Sequence, residues 1–154
     1  MAFEINEQDC VVLEQDLVEF LRLSEAQTAM LCDRGGAILL KEGEAYEESL
    51  DLIAALVAGS YAATKELAAA VGENEFNAIF HQGANTGIFI SSVATDVLLL
   101  AIFTDVTNAG LVKMYAESIG RKMQGLFKEI SDRKEIKAND ETVSFVINKD
   151  AKFF

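Results

Sequence analysis

The sequence predicts an α/β (α+β) domain with a five-stranded antiparallel sheet, in the order helix, strand, strand, long helix, three strands, helix. Three observations carry this reading. Apolar residues recur at helical spacing in three segments. Two short apolar runs flank an Asp33-Arg34-Gly35-Gly36 turn, the pattern of a β-hairpin. The run Val97 to Phe103 is apolar throughout, as a central strand covered on both faces would be. A length of 154 residues, 51% of them hydrophobic and 25% charged, suits one folded domain with a sizeable core.

From Asn6 to about Leu23, Cys10, Leu13, Leu17, Phe20 and Leu21 share one side of a helix, with Glu7, Glu14, Gln15 and Glu19 opposite. Thr28 to Cys32 and Ala37 to Leu40 form the hairpin, its glycines supplying the positive φ of the turn. A long helix then runs from about Glu47 to Val71 and is closed by Gly72. Its middle carries Ala54, Ala55, Ala58, Gly59, Ala62 and Ala63, small residues four apart in two adjacent rows. Small rows let a second backbone come close. That backbone is either the protein's own sheet or a second molecule, and the sequence favours the second.

Phe76 to His81 and Gly87 to Val93 read as short strands, with a turn at Ala94-Thr95-Asp96 before the apolar run. Thr107 or Asn108 caps a last helix to about Arg133, with Leu111, Met114, Tyr115, Ile119, Met123, Leu126 and Ile130 as its buried stripe. Residues 1–134 make up the domain and 135–154 a C-terminal tail. The tail reads as a floppy extension, the alternative being that Val143 to Ile147, which alternates enough to be a strand, pairs with a sheet edge of its own or another molecule.

Thirteen basic against twenty-five acidic residues leave a net charge of −12, which repels phosphate backbones and anionic lipid. Neither nucleic acid nor membrane insertion is expected. Cys10 and Cys32 lie in core-like segments without CxxC spacing, so they read as buried thiols in a reducing compartment. The first residues lack the basic-then-apolar pattern of a leader, and a cytoplasmic location is expected. The single histidine, His81, has no nucleophile or second ligand beside it and reads as a polar strand-end residue. No HExxH, nucleophile elbow, GxGxxG or Walker pattern occurs, and no metal or cofactor is expected. By elimination the chain reads as a binding or regulatory module rather than an enzyme.

Leu56-Val57-Ala58-Gly59-Ser60-Tyr61-Ala62-Ala63, Val71-Gly72-Glu73-Asn74-Glu75-Phe76 and Phe80-His81-Gln82-Gly83-Ala84 together resemble the bacterial MglB-like branch of the roadblock/dynein light chain family. The likeness continues through Ile102-Phe103-Thr104 and Thr107 to Val112 into the last helix. It implies that the long helix covers one face of the sheet and the terminal helices the other. It further implies a homodimer made by pairing long helices and joining sheets at the third strand, with Ala54, Ala58, Gly59, Ala62, Phe76 and Phe80 at the contact. The implied partner is a Ras-like, MglA-like small GTPase whose hydrolysis is stimulated without an arginine finger, in cell polarity or motility. Tyr61 and Lys65 would face that partner. A non-catalytic dimeric scaffold of the roadblock type is the alternative.

Overall fold

The computed structural model describes the backbone of residues 4–151 and the side chains of residues 4–136. Helix α1 spans Glu7–Ser24, strands β1 and β2 Thr28–Asp33 and Ile38–Glu42, and helix α2 Leu50–Ala70 after a 3-10 turn at Glu47–Ser49. Strands β3, β4 and β5 span Ile79–Gln82, Thr86–Ala94 and Val97–Thr104, and helix α3 spans Ala109–Ala151.

Local chemistry sets the ends of the helices. Asn6 accepts from the Asp9 N–H at 2.8 Å, and the Asp9 carboxylate accepts from the Asn6 N–H at 3.1 Å, closing a capping box on α1. Beyond α2, Gly72 adopts φ +86° and the Glu73 N–H donates back to the Ala68 carbonyl at 2.8 Å, using a carbonyl that the helix end would otherwise orphan.

The strands lie in the order β2-β1-β5-β4-β3, every neighbouring pair antiparallel. The apolar run is thus the central strand β5, and its alternating residues feed two cores. Val97, Leu99, Ala101 and Phe103 pack with Leu13, Leu17 and Phe20 of α1 and with Ile119, Met123 and Phe127 of α3. Leu98 and Leu100 pack with Leu50, Ala54, Val57 and Tyr61 of α2. The long helix therefore covers one face alone. Burial of each large apolar side chain on either face contributes about 1.5–3 kcal/mol.

Several expectations are corrected. The long helix opens as a 3-10 turn and becomes α only at Leu50. Strand β3 starts at Ile79, where pairing with Ile90 begins, so Phe76 precedes it. Cys32 is buried, but Cys10 is only half-buried. In α3 the buried stripe is Val112, Ala116, Ile119, Met123, Phe127 and Ile130, whereas Leu111 and Met114 are exposed. Asn108 Oδ1 accepts from the Leu111 N–H at 2.9 Å and caps the helix, and the packing of Val112, Ala116 and Ile119 into the core turns Leu111 and Met114 toward solvent.

Helix α3 also continues past Arg133 to Ala151, so Val143 to Ile147 is helical rather than a strand. No glycine or proline follows Gly125, and lysine, glutamate and alanine sustain a helix across the interval. Residues 152–154 of the expected tail lie outside the described residues.

Candidate functional site: the outer face of the long helix

The two small-residue rows of α2 have different fates. Ala54, Ala58 and Tyr61 turn inward and are buried in the protomer. They are core residues, which corrects their expected place at a surface. Ala55, Gly59, Ala62 and Ala63 are exposed, and a Cβ built on Gly59 would meet nothing within 4 Å. Beside them Leu52, Leu56, Leu67 and Val71 stand 58 to 64% exposed. Spaced three or four apart, these residues form one continuous apolar stripe on the outer side of α2. By length and composition the helix could cross a membrane, yet its inner row is packed on the sheet.

The rim of this face is the edge strand β3, which pairs only with β4. Alternation sends its side chains to opposite faces of the sheet. Phe80 packs on the far side, 4.9 Å from the Phe89 ring and 6.5 Å from Phe103 between ring centroids. His81 points toward α2, where its Nε2 lies 3.4 Å from Ser60 Oγ. Ile53, Leu56, Val57, Ser60, His81 and Ile88 enclose an apolar hollow of about 220 Å³ between helix and strand. Phe76 is half-buried and lines a separate hollow on the α3 side, with Ala116 and Gly120. Gly59 lies beside Leu56 and Ser60 at the margin of the apolar hollow, Ala62 lies on the other exposed flank of α2, and Phe76 and Phe80 lie on neither.

Tyr61 has an internal role. Its hydroxyl donates to Glu75 Oε2 at 2.8 Å and the Arg34 guanidinium lies 5.2 Å over its ring. Burial, and then the adjacent Glu75 carboxylate, raises the Tyr61 pKa, so the phenol stays a donor. Lys65 is exposed at the far end of α2, away from the hollow. The sequence reading missed Leu52, Leu56 and Leu67, whose spacing along one helix row was the available signal. No group of three or more His, Cys, Asp or Glu suited to a metal ion occurs among the described residues.

An antiparallel sheet of order β2-β1-β5-β4-β3, with one long helix alone on one face and the terminal helices on the other, defines the roadblock class of α+β domain. Residues 12–103 match the model of the Roadblock/LC7 domain, and the chain belongs to that family. Among solved structures it is similar to the gliding protein MglB of Thermus thermophilus, at 31% identity over 75% of this chain and 88% of that one, TM-score 0.71. An MglB with a tetrameric arrangement aligns at 27% identity over 83% and 96% of the two chains, TM-score 0.78. Myxococcus xanthus MglB aligns at 27% over 77% and 96%, TM-score 0.72. A search of curated proteins finds no match.

Proposed function

We propose that the protein is a homodimeric, MglB-like regulator that binds a Ras-like small GTPase and stimulates its GTP hydrolysis in the cytoplasm, in cell polarity or motility. The observation that carries the reading is the outer face of α2. Its leucines expose an apolar stripe that a lone protomer would leave in water, and Ala55, Gly59, Ala62 and Ala63 leave room for a second helix to approach. Its neighbour β3 offers an unpaired strand edge that could extend the sheet into a second copy. The similarity to MglB structures, one in a tetrameric arrangement, supports self-association.

The protein needs no catalytic group of its own in this reading. Arg34 is half-buried against Tyr61, which supports activation without an arginine finger from the hairpin turn. Acceleration comes instead from binding the hydrolysis-competent switch conformation more tightly than the resting one, because a ligand shifts an equilibrium only by that difference. Single-turnover GTP hydrolysis by a Ras-like GTPase from the same genome, with and without saturating protein, tests the proposal. A faster rate supports it. Binding that is equal for GDP and GTP-analogue forms, with an unchanged rate, would replace it by the scaffold reading.

A further inference from the structure

A third cavity, of about 560 Å³, lies at the opposite end of the sheet from the apolar hollow's strand edge, where the β1–β2 and β4–β5 turns meet. The pairing of Asp33 with Val97 brings these two turns side by side. Arg34 enters the cavity wall from the first turn, Lys65 from α2, and Lys128 from α3. Three cations from three separate elements thus surround one cavity in a chain whose net charge is −12.

The protein itself does little to neutralise them. Among the described residues none of the three takes part in an ion pair. Arg34 Nε is sealed from solvent with no hydrogen-bond partner, and a buried orphan donor on a charged group leaves it under-compensated. Stacking over Tyr61 holds the guanidinium at the wall. Glu75 is the one carboxylate among the lining residues, and it already accepts from the Tyr61 hydroxyl. Gln124 and Ser131 add neutral polar groups to the same wall.

We infer that this cavity binds a phosphate-type oxyanion, either free or at the end of a nucleotide, held by Arg34, Lys65 and Lys128. Arginine and lysine suit phosphate oxygens through charge-assisted hydrogen bonds, and the hydroxyl and amide groups can complete the shell of a tetrahedral anion. Because Lys65 leads from α2 and Lys128 from α3, an occupant would bridge helices on opposite faces of the sheet.

Calorimetric titration of the full chain at fixed ionic strength, with inorganic phosphate, pyrophosphate and metal-free ATP as probes, tests the inference. Saturable binding of at least one probe is expected, weakened about tenfold by Lys65→Gln and by Lys128→Gln, and further by Arg34→Gln. The two lysines are exposed, so their variants keep the fold even if the arginine variant loosens the turn. Equal affinity for pyrophosphate and ATP assigns a free oxyanion, and tighter ATP binding assigns a nucleotide. Absence of saturable binding for all three probes, affinity matched by acetate, or affinity unchanged in both lysine variants would overturn the inference.

Discussion

Arg133 Nη2 lies 2.6 Å from Asp9 Oδ2, an ion pair between residues 124 positions apart. The same carboxylate closes the α1 capping box, so one side chain terminates the first helix and fastens it to the last. Asp9 is only 5% exposed, whereas Arg133 is about half in solvent. Removing the arginine therefore leaves a buried charge behind, and removing the aspartate leaves a cation that water can solvate.

Arg133→Ala is expected to destabilise the domain by about 1–3 kcal/mol, and Asp9→Ala by a similar amount because it also opens the cap. The double variant should cost clearly less than the two singles together. Urea unfolding of the four proteins measures this coupling. Strict additivity would mean that the two helices are held by the apolar contacts of α1 and α3 alone.

Burial, and then the neighbouring Asp33 charge, push the Cys32 thiol up to about 11, from an ordinary value of 9.0. The folded state thus holds its proton more tightly than the unfolded state, so stability is present below pH 9 and is lost as pH rises toward 11. The loss across that window should be on the order of 2–3 kcal/mol. Cys32→Ala, although less stable at neutral pH from its cavity, should show a shallower alkaline decline in thermal midpoint. Parallel curves for the two proteins would refute the assignment.

The hairpin turn is also a packing device. A Cβ on Gly36 would lie 2.8 Å from the Ala55 Cα, and its φ is +92°, a conformation costly to other residues. Gly36→Ala should therefore cost roughly 2 kcal/mol or more through strain and displacement of α2. Gly59→Ala meets open space within the protomer and should instead stabilise it by about 0.5–1 kcal/mol when melted at concentrations too low for self-association. Circular-dichroism melts of the two variants should move in opposite directions.

The element order was legible because its signals are local: the Asp33 to Gly36 turn, the all-apolar β5, the Gly72 stop. Which side of a helix faces inward was less so. In α2 both rows are small or apolar, and composition would sooner bury Leu56 than Tyr61. The structure does the reverse, since Tyr61 finds Glu75 for its hydroxyl and Arg34 for its ring. In α3 the core took the row of Val112, Ala116 and Ile119 and left Leu111 and Met114 outward, a choice between neighbouring rows that apolar spacing alone does not make. The cationic cavity was not legible at all, because Arg34, Lys65 and Lys128 meet only after the sheet has brought their elements together.

The division of α2 into an inner and an outer row gives the sharpest test of the proposed dimer. Ala62 is exposed and Ala58 is buried, although they are one helical turn apart. Ala62→Trp should leave the protomer's melting temperature almost unchanged while shifting sedimentation from dimer to monomer, because the added ring occupies the space a second helix would need. Ala58→Trp should lower stability by about 1–3 kcal/mol whatever the oligomeric state, since its ring must force α2 away from the sheet. If the Ala62 variant still sediments as the wild type does, the outer stripe is not the contact between copies. Self-association would then have to run through the free edge of β3, where charged substitution at Phe80 should break it.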